Sequence, residues 1–189
     1  KRNHDWWKGK KNIKEKFLSK KLIGEKYALE HGIPVVPKII ITEDYTDSRL
    51  TQLPPTYVLK SSVGYSAKQV YPIKNGVNVF TGDSQEISEI LGKLKSDKFV
   101  VSQKHSIIVE ELVEDEFWYQ IPLDYKFYMF GGVIAAVQVI DRPNKKQSEQ
   151  SHFFYDEDFK PIPVDILPVR KSEEMFHKSK HFDEMKKAA

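Results

Sequence analysis

Thr56-Tyr57-Val58-Leu59-Lys60-Ser61-Ser62-Val63-Gly64-Tyr65-Ser66 is the stretch on which the reading of the fold turns. Its first five residues are an apolar, β-forming run and predict a strand that ends in a lysine. The strand passes directly into a turn of small residues, and Gln69 to Ile73 resumes the extended pattern. A strand–loop–strand hairpin therefore brackets Ser61 to Ser66, and Asn75-Gly76 supplies a tight turn just beyond it.

Upstream, Asn12 to His31 reads as a helix. Asn12 stands at the cap, Glu15 completes a capping box, and Ile13, Phe17, Leu18, Leu22, Ile23, Tyr27 and Leu29 form a helical stripe. Gly32 sits where a left-handed C-terminal cap is wanted, and Pro34 blocks continuation. Lys38 to Thr42 is a β-branched strand, and Asp44 to Pro55 a loop closed by two prolines. Downstream, Asp83 is expected to cap a second helix, with Glu86 at the capping-box position and Ile87, Ile90, Leu91 and Leu94 on one face. Ile107 to Leu112 is a buried-looking strand that runs into acid at Glu110-Glu111. Asp124 to Phe130 and Val133 to Asp141 are two strands joined at Gly131-Gly132, with Tyr125, Phe127 and Met129 alternating against Lys126, Tyr128 and Phe130. His152 to Tyr155 and Lys160 to Val164 read as a further hairpin, turning through Asp156-Glu157-Asp158. No internal repeat appears. Helices set among antiparallel hairpins give an α+β fold rather than a doubly wound parallel sheet, which removes the usual dinucleotide-binding alternative.

Composition narrows the function classes. The 189 residues carry 30 basic and 27 acidic side chains, a mixed surface rather than the one-sided basic footprint of a nucleic-acid binder. The local runs Lys8-Gly9-Lys10-Lys11 and Lys14 to Lys26 read as solvated faces. There is no cysteine, so disulfides, thiolate nucleophiles and cysteine zinc sites are excluded, and a cytoplasmic setting fits. The longest apolar run, Gly131 to Ile140, is far shorter than the ~20 residues that span a bilayer. No signal-peptide pattern opens the chain. Lys1 stands first, and the run Asp183 to Ala189 reads like a helix in mid-course, so the expectation is a fragment.

Three groups can carry chemistry. Lys60 closes a strand before a flexible loop whose amides, freed by Gly64 and flanked by Ser62, can surround phosphate oxygens as an anion nest. A lysine suits that task as a compact point charge. The bland alternative is a solvated lysine at a surface hairpin, and no Walker pattern is present. Next, the apolar strand running into Glu110-Glu111-Leu112-Val113 can offer backbone groups to a base edge and a carboxylate to an amine or ribose hydroxyl, although strands often simply end in charge. Finally, alternation places Asp124 and Lys126 on one face, with Arg142 at the end of the partner strand, a set that can meet a transferred phosphoryl group. A cross-strand salt bridge is the plain alternative there. His177 and His181 have helical i, i+4 spacing but no third ligand, and a solvated face explains them better. Ser, His and Asp occur without a nucleophile elbow. Trp6-Trp7 reads as a packing anchor or tag-adjacent residues.

The order of these pieces resembles the ATP-grasp superfamily, and within it the branch named after the teichuronopeptide-biosynthesis protein TupA. The matching stretches are Lys16 to Lys20 through Gly32 to Pro37, Tyr57 to Lys60, Ile108 to Glu111, Asp124 to Phe127, Gln138 to Arg142 and Phe154-Tyr155-Asp156. The resemblance implies two small lobes of antiparallel sheet plus helices with a nucleotide cleft between them. The expected division is 1–50 as lead-in, 51–110 as the small lobe, and 111–189 as a second lobe that is incomplete at its end. By the same resemblance, Lys60 holds α and β phosphates, Lys16 assists, and the loop with Ser62 and Gly64 lies over them. Glu110, Glu111 and Val113 surround adenine, Asp124 and Lys126 face ribose and phosphate, and Lys126 and Arg142 serve the phosphoryl transfer.

The implied activity is an ATP-dependent carboxylate–amine ligase working through an acyl phosphate on a small-molecule, polyglutamate-like or surface-polysaccharide acceptor. A sugar phosphotransferase or a non-catalytic nucleotide-binding module are the alternatives. ATP and Mg²⁺ are the implied cofactors. The branch usually has a histidine and a second glycine in the loop, where this chain has Val63 and Ser66. The superfamily's magnesium ligands come from a later acidic pair that has no counterpart after Val164, so no metal ligand is assigned and the pair is expected beyond Ala189.

Overall fold

The computed structural model describes Leu18 and residues 20–64, 67–144, 146–163 and 175–189. Contacts gather the chain into two compact units, Lys1–Tyr71 with Glu86–Glu111 and Pro72–Gln85 with Leu112–Ala189. Two antiparallel sheets with helices make this an α+β protein, as the alternation of hairpin and helix signals requires.

Helix α1 (Lys21–Glu30) ends where expected, with Gly32 at φ 71°. Its start differs from the helix expected from Asn12. Lys20 is extended at φ −78°, ψ 123°, and its carbonyl takes the first helical bond from the Gly24 N–H at 2.8 Å. Glycine at 24 permits this, because a Cβ there would run into the Leu18 carbonyl oxygen. The Asn12 cap and Lys16 lie outside the described residues.

The larger sheet has the order β1-β5-β2-β3-β4. Its strands are β1 (Lys38–Thr42), β2 (Thr56–Ser61), β3 (Val70–Lys74), β4 (Val77–Asn78) and β5 (Ile107–Glu110). β5 lies antiparallel between β1 and β2, and all four of its residues are buried. That placement explains a run with no polar alternation, since a central strand covered on both faces needs none. The loop expected over Asp44 to Pro55 contains a short 3₁₀ turn, Ser48–Thr51, capped by Asp47, which buries Leu50.

Asn75 and Gly76 both take positive φ, 53° and 77°, and close β3 onto β4 in the two-residue turn their types require. Helix α2 (Ile87–Ser96) buries Ile90 and Leu94 as its spacing predicts, but Asp83 does not cap it. The Asp83 carbonyl accepts from the Asn78 N–H at 2.9 Å, and Ser84 bridges to Val77. Residues 83–85 are thus drawn out along β4, and the helix opens later at Glu86 without a side-chain cap. A one-turn helix, α3 (Lys98–Val101), follows and is capped by Asp97.

The second sheet is β6-β7-β8, formed by β6 (Asp124–Phe130), β7 (Val133–Asp141) and β8 (Ser151–Tyr155). The β6–β7 turn has Gly131 and Gly132 at φ 58° and 81°. The register shifts between Tyr128 and Met129, so the expected alternation holds for Tyr125 and Phe127 and fails at Met129, which is exposed. One face of this sheet packs Val137, Val139 and Tyr155 with Leu123, Phe176 and Phe182, the last from helix α4 (Phe182–Ala188). The hairpin expected to continue over Lys160 to Val164 is shorter. Asp156 N–H bonds the Lys160 carbonyl, Phe159 adopts φ 64°, and a single bridge joins Tyr155 to Pro161. Val164 lies outside the described residues.

Candidate functional site

In the first unit the side chains converge on one face of β1, β5 and β2. Lys38 and Val58 are both register partners of Glu110, and Lys60 lies two residues along from Val58. Period-two alternation therefore turns Lys38, Glu110 and Lys60 to the same side. Lys60 Nζ donates to Glu110 Oε1 at 2.5 Å. Lys38 Nζ lies 2.9 Å from Glu110 Oε2 as a close ion pair rather than an aligned hydrogen bond. Helix α1 contributes Glu25, 3.1 Å from Lys38 and 3.8 Å from Lys60. The result is a ring of two ammonium and two carboxylate groups, each no more than a quarter exposed.

Lys21 is the additional cation. One turn before Glu25, it donates to the carbonyls of Val63 and Gly64 at 3.2 and 3.1 Å and so ties α1 to the loop after β2. Burial, and then the nearby Lys60 charge, lower its pKa. At Lys38 burial acts in the same sense, but the Glu110 and Glu25 carboxylates outweigh it and raise that pKa. Among the described residues the patch holds three lysines against two carboxylates, and at Lys21 burial is the first reason its pKa falls.

The expected nest of loop amides takes a different form. Ser62 N–H donates to the Ser106 carbonyl and Val63 N–H to Ser61 Oγ, while Ser62 Oγ accepts from Ser106 N–H. Ser62 therefore fastens the loop to the start of β5 rather than offering its amide to an anion. Gly64 sits at φ 103°, where a Cβ would collide with Gln69 Oε1. A cavity of about 520 Å³ opens beside the loop, lined by Lys21, Ser62, Gly64, His105 and Ser106 among others. Its size is that of a small-molecule site. At the end of β5 the Glu110 carboxylate is paired with Lys38 and Lys60, and the Glu111 N–H donates to the Pro37 carbonyl at 3.2 Å.

The second unit holds the remaining expected residues. Val113 is exposed. Asp124 and Lys126 of β6 meet Arg142, which follows the end of β7. Arg142 donates from Nε and Nη2 to Asp124 Oδ2 at 3.3 and 2.7 Å, and from Nη1 to Gln150 at 2.8 Å. Lys126 Nζ stands 3.9 Å from the same carboxylate oxygen and is half exposed. Sequence reading missed Lys21, Glu25 and Lys38 in the first unit and Tyr128, Gln138, Gln150 and His152 in the second. The i, i+4 pair Lys21/Glu25 and the alternation through Gln138 were the available signals. Among the described residues no three His, Cys, Asp or Glu side chains gather as a metal seat.

An α+β fold with a lysine-rich strand end, a glycine loop beside it and a separate Asp–Lys–Arg face defines the class. The whole chain, residues 2–189, matches the family described as TupA-like ATPgrasp, and it belongs to that family. No match was found among curated proteins or solved structures.

Proposed function

We propose that the chain is an ATP-dependent carboxylate–amine ligase, with Lys60, Lys38 and Lys21 neutralising the phosphates of ATP beside the Ser61–Gly64 loop. The observation that carries this reading is the convergence of those three lysines on one patch where, among the described residues, Glu25 and Glu110 balance them. Family membership supports an ATP-dependent ligase-type activity.

In the proposed reaction a carboxylate oxygen of the first substrate attacks the γ-phosphorus and ADP leaves. An amine nitrogen then attacks the acyl carbon, phosphate departs with the acyl C–O bond, and the nitrogen gives up its proton. Residues of this chain would align and neutralise rather than react covalently. Arg142 and Lys126 would hold the acyl-phosphate oxygens, with Asp124 fixing the guanidinium. Mg²⁺, which the resemblance implies, finds no three-ligand seat among the described residues, so no step is assigned to it. The acceptor is proposed as an amino acid, a polyglutamate-like chain or a polysaccharide sugar acid.

The test is product analysis of the full chain with ATP, a carboxylate and an amine: ADP, phosphate and an amide should form together. Lys60→Ala should reduce turnover by at least a hundredfold, since each lost contact to a developing phosphate charge costs roughly 3 kcal/mol. Lys60→Arg should recover little, because the site suits a point charge. Unchanged turnover in Lys60→Ala, in a variant with the wild-type circular dichroism spectrum, would remove the proposal. A phosphate ester in place of the amide would make it a phosphotransferase.

A further inference from the structure

His152 lies on the face of the second sheet that carries Asp124, Lys126 and Gln138 beside the buried Ile140 and Phe154, and it takes no part in the scheme above. Register puts it there: Asp124 pairs with Ile140, which pairs with His152, while Lys126 pairs with Gln138. Side chains paired directly across strands share a face, so Asp124, Lys126, Gln138 and His152 stand together. His152 is 8% exposed and Gln138 3%. Groups so buried take most of their hydrogen bonds from the protein.

The bonds they make fix the imidazole proton. Tyr128 O–H donates to Gln138 Oε1 at 2.8 Å. With its oxygen turned to the phenol, the amide presents nitrogen to His152 and donates from Nε2 to Nδ1 at 2.9 Å. Nδ1 is then an acceptor, and the neutral ring carries its proton on Nε2. Charge agrees with a neutral ring. Burial, followed by Arg142 and Lys126, lowers the His152 pKa, against a smaller opposite pull from Asp124. The relay Tyr128–Gln138–His152 thus prepares one neutral N–H donor next to two cations and a single carboxylate.

We propose that His152 Nε2–H is a third donor of the oxyanion seat formed with Lys126 and Arg142, binding a carboxylate or acyl-phosphate oxygen of the substrate. This rests on the ligase reading for the identity of the oxyanion. A neutral donor suits the position, because it adds a hydrogen bond without a third positive charge and does not take a proton from the incoming amine. Gln138 and Tyr128 are positioning residues: they set the tautomer and touch no substrate.

The test uses inorganic phosphate as the probe and reads the ring directly. In ¹⁵N-labelled full-length protein, His152 should show the Nε2–H pattern at pH 7.5, and phosphate should shift Nε2 more than Nδ1. His152→Ala should weaken phosphate binding at this face, followed through the Gln138 side-chain signals, by about tenfold, the effect of one lost hydrogen bond to a charged group. His152→Gln, whose amide nitrogen can occupy the Nε2 position, should restore most of it. Gln138→Glu should move the proton to Nδ1, because a carboxylate can only accept there. An Nδ1–H pattern in the wild type, or a ring indifferent to saturating phosphate, overturns the proposal without reference to any variant. The two readings separate cleanly. A phosphate-responsive Nε2 in a chain that makes no amide leaves the oxyanion seat standing and removes the ligase, whereas an active ligase with an indifferent His152 removes only the donor.

Discussion

Glu110 is the residue whose environment most changes its expected meaning. As the acid at the end of an apolar strand it reads as a contact for adenine, yet its carboxylate is 9% exposed and lies between the ammonium groups of Lys38 and Lys60. Removing its charge leaves two largely buried cations with, among the described residues, one carboxylate, Glu25. Glu110→Gln should therefore lower stability by about 2–3 kcal/mol in denaturant titrations, less than a fully buried pair because both lysines keep some water contact. Gly64 is constrained differently. At φ 103° an L side chain is strained, and its Cβ would also meet the Gln69 amide oxygen. Gly64→Ala should cost roughly 1–3 kcal/mol in the same titration. It should also weaken ATP binding, since the loop anchored by Lys21 would have to move. Neither constraint was visible from the residue type: a glycine between serines announces a turn, but not which atom lies opposite its missing side chain.

Among elements, the three-stranded sheet shows how one pattern serves two purposes. Tyr125, Phe127, Val137, Val139 and Tyr155 turn to an apolar core closed by Phe176 and by Phe182 of α4. The opposite face keeps Asp124, Lys126, Gln138 and His152 beside the buried Ile140 and Phe154. Phe182 is fully buried against Phe127 and Phe159, with ring centroids 5.8 and 5.0 Å away. Phe182→Ala should destabilise the protein by about 3–5 kcal/mol. It should also release amide protection in α4 first, since a seven-residue helix has little stability of its own. The strands and their turns were legible because β-branched runs and the pairs Asn75-Gly76 and Gly131-Gly132 act locally. The starts of α1 and α2 were not. Asp83 is a good cap by composition, but a sheet edge claims its carbonyl, and Gly24 admits the backbone of Leu18 against a helix that composition alone would extend.

For the whole molecule the clearest solution signature lies at high pH. Burial pushes Tyr125 and Tyr155 up to about 12, against 10.0 for an unhindered phenol. The folded state thus holds these protons more tightly than the unfolded chain. The stabilisation is complete below pH 10 and is lost as pH rises toward 12. Melting temperature should fall across that interval, and the double variant Tyr125→Phe/Tyr155→Phe should show a shallower fall relative to its own value at pH 9. An equal slope in both proteins would mean that these phenols titrate normally.

By itself the sequence determined the alternation of hairpins and helices, the strand that delivers Lys60, and the grouping of Asp124, Lys126 and Arg142. These follow from period-two and helical spacing, which operate over a few residues. Only the tertiary structure decided that Glu25 and Glu110 share Lys38 and Lys60, that Lys21 fastens the loop, and that Tyr128 and Gln138 orient His152. The widest of these pairs, Lys38 and Glu110, are 72 positions apart in the chain (110 − 38). Charge and hydrogen bonding act through space, so their partners are known only once strand order and register are set.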